Sequence, residues 1–119
     1  MISIRKTDDY IKKNVNQNND IIEMYDLLLD DKVIGYSTIN NDINNVLSLY
    51  INEDYRGNGY GKAFFEKMLI ELKKNGHKEI ILMFSKHNFI MKRIIQSFNG
   101  LEISLYKEKI KYVVPLKKV

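Results

Sequence analysis

Val46-Leu47-Ser48-Leu49-Tyr50-Ile51, Asn52-Glu53-Asp54-Tyr55, Arg56-Gly57-Asn58-Gly59-Tyr60-Gly61 and Lys62-Ala63-Phe64-Phe65-Glu66-Lys67-Met68-Leu69 follow one another without a break. They read as an apolar strand, a short acidic turn, a glycine turn and the start of a helix. Three glycines at alternating positions let the backbone turn where side chains would block it, and they leave amide N–H groups uncovered. The helix start adds unpaired N–H groups and a partial positive charge, so the whole turn favours a phosphate or pyrophosphate. A nucleotide-like anion is expected here.

Two familiar phosphate-binding turns fail on residue identity. A P-loop requires Gly, four residues, then Gly-Lys and Ser or Thr; here Gly61-Lys62 is followed by Ala63, and the residue five before Gly61 is Arg56. The hydroxyl that would hold magnesium is missing. The dinucleotide fingerprint spaces its glycines Gly-x-Gly-x-x-Gly, whereas these stand at Gly57, Gly59 and Gly61 with no βαβ unit around them.

What remains, Arg56-x-x-Gly59-x-Gly61 behind Leu49-Tyr50-Ile51-Asn52-Glu53-Asp54-Tyr55, resembles the acyl-CoA-binding signature of the GNAT superfamily of N-acetyltransferases. The resemblance covers residues 24 to 115. It implies a GNAT-like α/β (α+β) domain over residues 1–119, with a single mixed, mostly antiparallel sheet flanked by helices. It also implies acetyl-CoA as cosubstrate, no metal, and direct transfer to a small-molecule or peptide amine.

Working outward, the pattern agrees with that order of elements. Met1 to Arg5 alternates as a half-buried strand does; residues 7 to 20 are polar and hold a brief helix or a loop. Ile21–Leu29 and Val33–Ile39 flank the turn Asp30-Asp31-Lys32 as a hairpin, and a polar turn over 40–45 leads into Val46–Ile51. Phe64, Phe65, Met68, Leu69 and Leu72 form one helical stripe, closed by Lys73, Lys74 and Gly76. Ile80 to Phe84 predicts a central strand buried on both faces, Asn88 to Phe98 a second helix, and 101–106 and 109–116 the last strands, with Pro115 near an edge. The family usually inserts two helices after its first strand, so this N-terminal region is abbreviated. The sheet left uncovered there could be protected by pairing with a second copy as a homodimer.

Composition bounds the class. A chain of 119 residues with 45% hydrophobic residues can bury a core of its own. The absence of cysteine excludes disulfide and thiolate chemistry, and no leader or long apolar run is evident, so a cytoplasmic, non-membrane protein is expected. Residues 1–59 hold six Lys and Arg against ten Asp and Glu, and residues 60–119 thirteen against five. That asymmetry suits a phosphorylated ligand beside a cationic acceptor, and equally a solvated basic surface.

By resemblance, the backbone N–H groups of Gly57, Asn58, Gly59, Tyr60, Gly61 and Lys62 hold the CoA pyrophosphate, with Arg56 placing the turn or touching phosphate. Leu49 and Ile51 pair with pantetheine, and the Ile51 N–H polarises the thioester carbonyl, where a fixed donor meets developing charge. Asn88 is either a coenzyme contact or a helix cap. Seven residues beyond it many members carry a Tyr as general acid; here Ile95 stands there, or Gln96 one position on, and neither gives up a proton. The strand before the turn offers Asn45, Ser48 and Tyr50 in place of the usual Glu base, while Glu53 and Asp54 belong to the turn. Tyr50, Tyr106 and Tyr112 are the candidate acids, each also readable as a packed strand aromatic. His77 and His87 lack carboxylate or Cys neighbours at ligand spacing. The competing readings are a degenerate acyl-CoA-binding module and, less favoured, a nucleic-acid-binding surface of Lys107, Lys109, Lys111, Lys117 and Lys118 with Tyr106 and Tyr112.

Overall fold

Alternating apolar residues become strands and the three-to-four-spaced stripes become helices in the computed structural model, which describes residues 1–15, 21–40 and 46–119. The elements are β1 (Ile2–Lys6), α1 (Asp9–Val15), β2 (Ile21–Leu29), β3 (Lys32–Asn40), β4 (Val46–Ile51), α2 (Tyr60–Lys74), β5 (Glu79–Ser85), α3 (Phe89–Ser97), β6 (Leu101–Tyr106) and β7 (Lys109–Pro115). This is the expected α+β class. The chain divides into two compact units, Met1–Met68 and Leu69–Val119.

In the first unit β1 to β4 pair antiparallel in chain order. The β2–β3 hairpin turns at Asp30 and Asp31, both at positive φ (48° and 69°), which is the backbone a right-twisted two-residue hairpin requires. Lys32, expected in the turn, already pairs with Leu29. Leu28 faces Val33 and Leu27 faces Gly35, so Ile34 is an extra residue in β3, a bulge. The bulge turns Ile34 into a core with Leu27, Ile51 and Phe64, against which Ile2, Ile4, Leu29, Leu49, Tyr55 and Tyr60 pack. Phe64 thus brings the first turns of α2 onto the face of β4 that carries Leu49 and Ile51. The polar segment after β1 forms the short α1, which buries none of its residues. Residues 16–20, and the predicted turn beyond Asn40 with candidate Asn45, lie outside the described residues.

In the second unit β7 runs between β5 and β6, antiparallel to both. Pro115 is therefore not on an edge strand. It is the last residue of β7, where a missing N–H breaks no ladder, and the next amide, Leu116, donates to the Lys78 carbonyl at 2.9 Å. The β5 expectation holds for Ile80, Ile81 and Leu82, which are buried, but Met83 is 49% exposed, so one face of the strand opens towards its end. The predicted α2 stripe is realised in full: Phe64, Phe65 and Met68 in the first unit, Leu69 and Leu72 in the second, are all 0% exposed. Every residue of β6 is exposed, as an outer strand with one partner allows.

Candidate functional site

Between β4 and α2 a single 3-10 turn, Glu53–Tyr55, carries the two acidic residues, so both belong to the turn as expected. Gly57 and Gly59 follow at φ of 82° and 79°, and a Cβ at either would meet nothing within 4 Å. The demand for glycine there is conformational, and the space above the turn is open. Gly61 differs from the expectation of one shared cause. It is already helical, and its Cβ position lies 4.0 Å from Ile51 Cδ1, an ordinary contact.

The backbone N–H groups of this stretch are accounted for at both ends. Arg56 donates to the Glu53 carbonyl (3.2 Å) and Ala63 to the Gly59 carbonyl (3.4 Å). Between them the N–H groups of Gly57, Asn58, Gly59, Tyr60, Gly61 and Lys62 have no partner among the described residues. The Asn58 side chain ties the turn to itself, Nδ2 donating to the carbonyls of Tyr55 and Arg56, both at 3.3 Å. Six amides at the positive end of a fifteen-residue helix fit an anion with several oxygens.

Strand β4 is positioned by its pairing with β3. Asn52 N–H donates to the Ile34 carbonyl at 2.7 Å, which fixes the alternation of the ladder: Tyr50 exchanges its main-chain bonds with Tyr36, and the main chains of Leu49 and Ile51 face away from β3. Gly35 permits the close approach, since a Cβ on it would lie 2.2 Å from the Tyr50 carbonyl oxygen. On the side away from β3 the Ile51 carbonyl accepts from Arg56 Nε at 2.8 Å. Of the two roles expected for Arg56, placing the turn is the one this bond performs. Its guanidinium also sits 5.1 Å from the centre of the Tyr50 ring, and Tyr50 stacks on Tyr36 at 5.2 Å with 29° between the planes.

The structure thus brings Leu49, Tyr50, Ile51 and Arg56 to Lys62 together in the first unit. Asn88 lies in the second, where its Oδ1 accepts from the Met91 N–H at 3.1 Å and caps α3. Ile95 is buried in the core and Gln96 is exposed, so the helix offers no proton donor at that point. Ser48 is exposed, and its carbonyl accepts from Ser37 Oγ at 2.7 Å. Tyr106 is exposed with Lys107 Nζ 5.4 Å from its ring, whereas Tyr112 is 1% exposed. A base-stacking surface beside the lysines would therefore rest on Tyr106 alone. Burial, with the Glu102 carboxylate opposite, pushes the Tyr112 hydroxyl above its ordinary value. His87 Nε2 pairs with Glu108 Oε2 at 3.0 Å, and no cluster of three His, Cys, Asp or Glu residues able to hold a metal is found among the described residues. No helix there is long and apolar enough to cross a membrane.

Two residues escaped the sequence reading. Asp26, a lone acid in the apolar run of β2, is buried and accepts from Thr7 Oγ1 (2.7 Å) and Arg5 Nε (3.0 Å); its isolation among β-formers was the signal. Tyr36, opposite both Asp26 and Tyr50, carried none.

The model of the Acetyltransferase (GNAT) family matches residues 4–99. Among curated proteins none matches the sequence. Solved structures of like fold include the ribosomal-protein-S18-alanine N-acetyltransferase from Escherichia coli, with 15% identity and a TM-score of 0.76 over 100% of this chain and 96% of that one. An acetyltransferase from Bacillus subtilis in complex with CoA is 11% identical, with a TM-score of 0.73 over 97% and 99%. The spermidine/spermine N-acetyltransferase from Vibrio cholerae is 10% identical, with a TM-score of 0.77 over 99% and 96%. At these identities the likeness is one of fold.

Proposed function

Because the chain belongs to the GNAT acetyltransferase family, we propose that it transfers an acetyl group from acetyl-CoA directly to a primary amine, in the cytoplasm. The observation that carries this reading is the run of six N–H groups from Gly57 to Lys62, at the start of α2, that have no partner among the described residues. These amides would hold the pyrophosphate, with Gly57 and Gly59 supplying the backbone shape and Asn58 the internal tie. Leu49 and Ile51 would pair their main chains, on the side of β4 away from β3, with a pantetheine arm.

Acetyl-CoA, when bound, supplies an acyl group already activated as a thioester. The Ile51 N–H meets the negative charge that develops on the acyl oxygen. As the new C–N bond forms and the C–S bond breaks, the sulfur needs one proton and the amine nitrogen sheds one. Tyr50, between Leu49 and Ile51, is the candidate hydroxyl to give the first, and water takes the second. The acceptors named for the structural neighbours, a protein alanine and the polyamines spermidine and spermine, set the first panel to try.

Calorimetry with acetyl-CoA tests the site, and release of free CoA with polyamine and peptide amines tests turnover. Wild-type protein is expected to bind, and Gly59→Val to bind at least about tenfold more weakly, since a β-branched residue resists positive φ. No heat with the wild type, or unchanged affinity in the variant, would overturn the site. Binding without CoA release across the panel would leave an acyl-CoA-binding module.

A further inference from the structure

Tyr36 and Tyr50 sit opposite one another on β3 and β4, on the sheet face turned away from Leu49, Ile51 and Phe64. They are 42% and 43% exposed, unlike Tyr25 and Tyr112, which are packed at 1%. Two half-exposed tyrosines contribute little to a core, so their arrangement points elsewhere. Tyr36 stacks on Tyr50, and the Arg56 guanidinium lies over the Tyr50 ring, so Tyr50 touches both the second ring and the cation. Arg56 Nε is committed to the Ile51 carbonyl, and both Nη groups have no partner among the described residues.

We propose that Tyr36 is a positioning residue for the coenzyme site: by buttressing Tyr50 it fixes the Arg56 guanidinium, whose Nε pins the end of β4 while its Nη groups stay available to a phosphate. This rests on the reading of Gly57 to Lys62 as a pyrophosphate site. An arginine on an exposed turn ordinarily samples many rotamers, and holding it in one geometry before the ligand arrives removes that ordering cost from binding. Stacking of Tyr36 on Tyr50 and the attraction of the guanidinium to the ring are the restraints, because Nε alone leaves the charged end free to swing. Arg56 immediately precedes Gly57, so its restraint is passed covalently to the first amide of the turn.

The test uses Tyr36→Phe, which keeps the ring, and Tyr36→Leu, which removes it. Proton exchange at Arg56 Nε, followed by NMR without any ligand, reads the positioning directly. It is expected to be slow in the wild type and in Tyr36→Phe, and about three- to tenfold faster in Tyr36→Leu, the worth of one aromatic contact. Acetyl-CoA affinity by calorimetry should fall by the same factor in Tyr36→Leu and be retained in Tyr36→Phe. Unchanged Nε exchange in Tyr36→Leu overturns the proposal, as does faster exchange with unchanged affinity. Faster exchange in a protein whose wild type binds no acetyl-CoA overturns the coenzyme role and the proposed function together, while the hold of Tyr36 on Arg56 stands.

Discussion

Tyr112 carries a hydroxyl into an apolar layer, its ring stacked on Phe84 at 4.8 Å with 4° between the planes, and among the described residues that hydroxyl has no hydrogen-bond partner. An unsatisfied buried polar group costs roughly 1–3 kcal/mol, whereas the ring contributes through burial. Tyr112→Phe is therefore expected to leave the urea unfolding free energy unchanged or to raise it by about 1 kcal/mol. A loss of that size would mean the hydroxyl is satisfied. The same burial predicts a pH signature. The folded-state value lies above the ordinary 10.0, so the native chain keeps its proton where the unfolded chain gives it up. Stability from this residue is complete below pH 10.0 and is lost as pH climbs through the raised value. Comparing wild type and Tyr112→Phe across that window should show a shallower alkaline decline in the variant; parallel curves would refute the assignment.

Helix α3 begins because Asn88 can satisfy an amide that no preceding turn reaches. Its Oδ1 accepts from Met91 N–H, and replacing it with Ala is expected to destabilise the chain by about 1 kcal/mol, with Ser or Asp restoring most of the loss. If Asn88→Ser restores stability but not acetyl-CoA affinity, Nδ2 has the second role; if both return, the residue is a cap alone. Elements of this kind were legible in the sequence because their signals are local. The α2 stripe, the hairpin between β2 and β3 and the glycine turn each follow from residues a few positions apart. What was not legible depends on register. Tyr36 and Tyr50 are fourteen positions apart and meet only once β3 and β4 are paired, and the Ile34 bulge decides which face each residue of β3 takes. Nothing in the run Lys109 to Pro115 tells Tyr112 from Tyr106 as the buried ring, because that depends on β7 lying between two strands and β6 having one. Gly61 looked equivalent to Gly57 and Gly59 in the pattern, and only backbone angles separate them.

At the scale of the whole molecule, α2 runs without interruption from Tyr60 to Lys74 across the boundary between the two units, with fully buried residues on either side of it. A helix is cooperative along its length, since each residue added to an existing turn gains a bond that a new nucleus would not. Melting one half should therefore propagate to the other, and residues 1–119 should behave as one folding domain. Scanning calorimetry is expected to show a single transition with calorimetric and van't Hoff enthalpies equal. Two transitions would make each unit a domain of its own. Acetyl-CoA sharpens the test, because the residues proposed to hold its pyrophosphate and pantetheine, Leu49 to Lys62, all lie in the first unit. At a hundredfold excess over its dissociation constant, a ligand binding only the folded chain adds about 2.7 kcal/mol, which for a chain of this length raises Tm by roughly 10 °C. In a cooperative chain the whole transition moves by that amount. Were the units independent, one peak would shift and the other stay, and the stationary peak would persist in Gly59→Val while the ligand-induced shift disappeared.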